Sequence, residues 1–203
     1  MPPPLTAIAL ALLLNGPASA ALLLDTGTPI NDPSIDPPWT LGGGLQWLAG
    51  GFTLGSDSLI TGIEGRIGWD EGDLTLAIYS DAGNLPGSKL YSAAFHADRD
   101  FDWYGRDNLN WLLGAGNYWV AFELEPSQSY SGGMAGGAPN PMPREAIKSV
   151  MYGTDWEAYG PMGLGVRISG QTSGTSVPEP MSLALLGIGA LGLLAQHRRR
   201  RLF

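Results

Sequence analysis

Apolar and polar positions alternate in short bursts through the middle of this chain. Leu74, Leu76 and Ile78 alternate with Thr75, Ala77 and Tyr79, the period of two that marks a half-buried strand. Asp81 to Gly87 (DAGNLPG) follows as a turn cluster, and Lys89–Phe95 resumes an extended run. In Asn117–Leu124, Tyr118, Val120, Phe122 and Leu124 point one way and Trp119, Ala121 and Glu123 the other. Similar patterns predict strands over Gln46–Leu54, Leu59–Ile67, Asn110–Leu113, Ile147–Tyr152 and Leu164–Ser169. No segment between the two ends has a long helical period, and there is no repeat of solenoid or propeller length. About eight short strands with turns between them predict an all-β ectodomain, a jelly-roll-like β-sandwich over residues 21–169. Gly62, Gly65 and Gly68 punctuate one strand and are expected to mark bulges. Residues 126–144, rich in Gly, Pro and Ser, read as a long loop, and residues 170–176 (GQTSGTS) as a flexible stalk.

The two ends read differently. Leu5 to Leu14 is an apolar run, closed by Asn15-Gly16-Pro17 and then Ala18-Ser19-Ala20. That order is the layout of a signal peptide over residues 1–20, with cleavage after Ala20 and Ala18 as the other small residue of the site. The run is too short to span a bilayer core, which takes about 20 residues. Its leading MPPP departs from the pattern by lacking Lys and Arg. At the other end, Met181 to Ala195 carries no charge, and Arg198, Arg199, Arg200 and Arg201 follow as a basic cluster. As a helix this stretch covers only ~22 Å of a ~30 Å core, a mismatch that local thinning can absorb. The arginines place that end in the cytoplasm. The expectation is a single C-terminal transmembrane helix over residues 181–195, with the β domain outside.

Val177-Pro178-Glu179-Pro180, then the apolar stretch, then the arginine cluster, resembles the PEP-CTERM sorting tail over residues 177–203. The resemblance implies processing by an exosortase near residues 177–180. It implies transient anchoring in the inner membrane of a Gram-negative bacterium, then delivery to the cell surface or to an exopolysaccharide and biofilm matrix. The prolines keep the motif extended, which suits an enzyme working at the membrane face. Residues 45–169 are also similar to the exported β domain of PEP-CTERM proteins known as choice-of-anchor. Tyr79-Ser80-Asp81 running into Leu85-Pro86-Gly87, and Ala115-Gly116-Asn117-Tyr118-Trp119, carry that similarity. It implies a jelly-roll-like module without an assigned catalytic centre.

Composition narrows the function. The formal charge is −8, with 19 Asp and Glu against 11 Lys and Arg. Every carboxylate but Glu179 lies before residue 170, so the acidity belongs to the exported part. Nucleic acid is therefore not an expected partner, because phosphate contacts need basic patches. The absence of cysteine excludes disulfides, thiolate catalysis and cysteine-ligated zinc. Gly at 30 and Pro at 16 exclude a coiled coil.

Candidate chemistry is sparse. His96 is the one histidine before the tail, and no Gly-x-Ser-x-Gly elbow accompanies it. Glu123 and Glu125 share a strand face, and Glu64, Glu71 and Asp73 lie near another strand end. Such carboxylates read as solvated surface acids unless two of them face each other across a cleft. Asp98, Asp100 and Asp102 occupy alternate positions, a spacing that suits hard oxygen ligation of a structural Ca²⁺. The EF-hand pattern fails there, since Trp103 replaces the required Gly and Leu109 the closing Glu. No other cofactor is expected. Trp47, Trp69, Trp111 and Trp119 lie in or beside strands and read as core. Trp39, Trp103 and Trp156 sit in polar or Pro-rich surroundings, and Trp103, Tyr104 and Trp156 are the candidates for a glycan platform. The expected function is that of an exported noncatalytic protein, glycan-binding or structural. The alternatives are a secreted carbohydrate-active enzyme using acidic residues and a permanently membrane-anchored surface protein.

Overall fold

The computed structural model describes residues 21–30, 39–42, 46–149 and 155–172, all within the first of the chain's two units, residues 1–173. The signal-peptide, sorting-motif and transmembrane expectations fall outside these residues. Among the described residues there is no helix, and so none long and apolar enough to cross a membrane.

Twelve strands follow one another: β1 (Ala21–Asp25), β2 (Trp39–Gly42), β3 (Gln46–Leu54), β4 (Ser58–Gly68), β5 (Gly72–Asp81), β6 (Pro86–Ala97), β7 (Asp102–Leu113), β8 (Gly116–Glu123), β9 (Ser131–Met134), β10 (Arg144–Ser149), β11 (Glu157–Tyr159) and β12 (Val166–Thr172). All pairings are antiparallel and join into one open sheet with two arms. The first arm runs β11-β10-β3-β8-β5-β6 and the second β1-β12-β4-β7. They are linked by β9 and β2, with β9 pairing Ile67 and Gly68 at the end of β4. Leu48, Phe52, Leu76, Ile78, Val120 and Phe122 of the first arm and Ile60, Ile63, Ile67, Val166 and Ile168 of the second belong to a single buried cluster. Burying an aliphatic or aromatic side chain of this size stabilises by about 1.5–3 kcal/mol.

Local chemistry explains the turns and dislocations. The β5–β6 hairpin closes through Gly83 (φ 67°) and Asn84 (φ 74°), with the Ala82 N–H donating to Leu85 O at 2.9 Å. Two successive left-handed residues make the turn that matches strand twist. The expected bulge at Gly62 is present, as the β4–β7 register shifts between Ile60 and Gly62. At Gly65 the reason is packing: a Cβ there would lie 2.7 Å from the Phe122 ring.

Three expectations need correction. Residues 126–144 are not one loop: Ser131–Met134 is β9, and β10 begins at Arg144. The stalk begins later than residue 170, because β12 runs to Thr172 against Ser58 of β4. The strand expected over Asn110–Leu113 starts earlier, since β7 begins at Asp102 and pairs with β4 for nearly its whole length, while Asp98 and Asp100 stay outside any strand.

Candidate functional site

Two outward faces carry the polar chemistry. On the first arm, Ala146 of β10, Ala49 of β3, Ala121 of β8 and Ala77 of β5 stand in one row across four strands. Four small side chains leave a flat floor, and Tyr79, Trp119 and Trp156 pack on it. Trp156 lies 5.8 Å from Tyr79 and 6.3 Å from Trp47, ring centre to ring centre.

Beside these rings Glu123 is completely buried. Tyr79 Oη donates to Glu123 Oε1, and Lys89 Nζ donates to Glu123 Oε2 at 2.7 Å and to Glu125 Oε1 at 3.0 Å. The same ammonium lies 5.8 Å from the ring centres of both Trp47 and Tyr79. Burial and the Glu123 bond push the Tyr79 hydroxyl far above its ordinary range. Burial opposes the charge on Lys89, but the Glu123 and Glu125 contacts outweigh it and raise its pKa. Glu123 is thus a buried, paired carboxylate and not a solvated surface acid. Lys148 adds a second ammonium 4.7 Å above Trp47. At the other side of the row, Trp119 Nε1 and Arg144 donate to Asp81 Oδ1 at 2.7 and 2.6 Å. The Trp119 bond first, then the Arg144 charge, holds the Asp81 carboxyl below its usual range.

The second arm shows a different surface. Arg167 covers the Trp103 ring at 3.8 Å, and Arg66 donates to Asp102 at 2.6 Å. Gly62 of β4 stands opposite Asp107 of β7 and Ser169 of β12, and Glu64 stands opposite Gly105 and Arg167. A cavity of about 530 Å³, lined by Thr61, Gly62, Asp107, Asn108, Leu109 and Ser169, opens over this grid. Burial, then the nearby Asp107 charge, raises the pKa of Glu64.

The predicted glycan platform is not assembled as one surface. Trp103 and Tyr104 are neighbours in β7, and the pleat turns them to opposite faces. Tyr104 packs against the core cluster. Trp156 belongs to the first arm's face with Trp47 and Tyr79. Nor does the structure gather Asp98, Asp100 and Asp102. Asp102 accepts from Arg66 and from the Trp103 N–H, and Asp98 lies 3.8 Å from His96. Among the described residues no three His, Cys, Asp or Glu side chains converge as a metal site would require. His96 Nδ1 sits 2.8 Å from Asp73 Oδ1, and that contact raises its pKa. Trp69 is not core: it is 47% exposed, holds φ 82° and meets Phe101 edge-on at 5.9 Å. Lys89, Tyr79 and Trp47 were not legible as a group. Lys89 and Glu123 lie on strands either side of β5, and no local pattern ties them.

The remaining functional element is in the tail. Residues 176–200 match the family model of the PEP-CTERM protein-sorting motif. The chain carries a PEP-CTERM sorting tail. The match contains Val177, Pro178, Glu179 and Pro180 and the first three residues of the arginine cluster, Arg198 to Arg200, with Arg201 just beyond it. The PEP-CTERM tail implies an exosortase as processing partner. It indicates an exported protein, anchored transiently in the membrane before release at the surface. No curated protein and no solved structure matches the chain.

Proposed function

We propose that this chain is a noncatalytic protein of the cell surface or exopolysaccharide matrix, with a glycan-binding or structural β domain delivered by exosortase processing. The match of residues 176–200 to the PEP-CTERM motif carries the reading. The N-terminal run through Ala20, with its small-residue cleavage site, supplies the export signal such a route needs. The two sheet arms sharing one core cluster support a jelly-roll-like sandwich of the choice-of-anchor type. A noncatalytic role is supported by how the acids are used. Glu123 and Glu125 are both bound to Lys89, and His96 is taken up by Asp73.

The test compares the intact mass and cell fraction of the protein in hosts with and without exosortase. The reading expects a shorter, released form in the first host and a longer, membrane-bound form in the second. Replacing Pro178, Glu179 and Pro180 by Ala is expected to give the longer form in both. A tail retained in the membrane despite active exosortase would instead identify a permanently anchored protein.

A further inference from the structure

We infer that the groove on the outer face of β4, β7 and β12 is a binding site for an uncharged, hydroxyl-rich saccharide unit; the assignment deepens the glycan-binding reading above and rests on it. The groove exists because both ladders flanking β4 are dislocated at the same place. The β4–β7 register shifts between Ile60 and Gly62, and the β12–β4 register between Ser169 and Gly170. Gly62 places no side chain between Asp107 and Ser169, and a Cβ there would lie 2.9 Å from Asp107 Oδ1. Asn108, at φ 57°, turns the chain at the groove wall. The resulting cavity of about 530 Å³ falls in the ~300–1,000 Å³ range of small-ligand sites.

The lining sets the ligand class. Thr61 and Ser169 offer hydroxyls, Asn108 an amide and Asp107 a carboxylate, with Leu109 as the one apolar side chain. Among the described residues, the side chains of Thr61, Asp107, Asn108 and Ser169 have no hydrogen-bond or ion-pair partner, so their capacity is unspent. Mixed donors and acceptors match adjacent sugar hydroxyls, each of which both donates and accepts. Anionic sugars are disfavoured. Asp107 lines the groove and Glu64 stands beside it on β4, while Arg167, opposite Glu64, lies over the Trp103 ring and 3.5 Å from Asp25, and among the described residues no cationic side chain lines the groove itself. A like charge brought against two carboxylates is rejected.

The test uses the full chain in mild detergent and saturation-transfer NMR. The probes are neutral hexasaccharides of glucose, galactose and mannose, with an oligoglucuronate as the anionic arm. The assignment expects binding of at least one neutral probe, and a Kd raised roughly tenfold or more by Asp107→Ala and by Asn108→Gly. Asn108→Gly removes the amide at a backbone position that glycine accepts, so it decides the matter if Asp107→Ala fails to fold. Lys148→Ala, on the other arm, is expected to leave the Kd within about twofold. Three results overturn the site: no neutral probe binds, the groove variants bind unchanged, or the oligoglucuronate binds better. None of these touches exosortase processing, which the mass comparison reads independently.

Discussion

The ammonium of Lys89 reaches past β5 to hold, at 2.7 Å, a Glu123 carboxylate that is wholly withdrawn from solvent. A buried charge without its partner is expensive, roughly 3–5 kcal/mol for a fully enclosed pair. The Lys89 side chain is 32% exposed and Tyr79 remains to bond Glu123, so the cost here is smaller. Lys89→Met is expected to lower stability by about 2 kcal/mol in urea denaturation. The double variant Lys89→Met/Glu123→Leu, which removes both charges, is expected to recover most of that loss. A double variant no more stable than Lys89→Met would refute this account.

Glu145 organises a loop. Its buried carboxylate accepts the N–H groups of Met162, Gly163 and Leu164. Bonds to a charged acceptor are worth about 1.5–3 kcal/mol each, and here they compensate one buried charge. Glu145→Ala is expected to cost about 3 kcal/mol. Amide hydrogen exchange at residues 162–164 should accelerate well beyond the global change. Unchanged protection there would show that the loop holds itself.

Two glycines separate backbone need from mere tolerance. Gly42 has φ 79°, and a Cβ on it would lie 2.1 Å from the Tyr130 carbonyl oxygen, whereas a Cβ on Gly55 meets nothing within 4 Å. Gly42→Ala is expected to destabilise by about 2 kcal/mol or more, and Gly55→Ala to change stability by less than about 0.5 kcal/mol. Thermal melts of the two variants measured side by side check this, and similar melts would contradict it.

The His96–Asp73 pair gives the fold a pH response. The Asp73 bond raises the His96 pKa above its ordinary 6.5, so the folded chain holds this proton more tightly than the unfolded chain. The pair therefore stabilises fully below pH 6.5, and its contribution fades as pH rises through the higher folded value. Urea midpoints should fall between about pH 6 and pH 8 relative to those of His96→Gln. Parallel pH profiles for the two proteins would exclude the effect.

Whatever depends on near neighbours along the chain is legible in the order of the residues alone. β3 spans Gln46–Leu54 as its pattern predicts, and β5 and β8 enclose the alternating runs around Leu76 and Val120. Period two is a property of the extended backbone, so it shows before any partner is known. The sorting tail is legible for the same reason: its proline motif, apolar stretch and arginines act in linear order. Features that depend on pairing between distant strands emerge only in the folded sheet. Gly132 and Gly133 have no strand pattern of their own, yet they lie in β9 because β2 and β4 supply hydrogen-bonding edges on either side. Trp103 and Tyr104 look like one platform in the sequence, but the pairing of β7 with β4 puts them on opposite faces. Glu123 reads as a surface acid until the registers of β5 with β6 and β8 bring Lys89 and Tyr79 to it. In each case the deciding contact joins residues far apart in the chain, and register between strands is fixed by the packing of the whole sheet, not by the residues on either side.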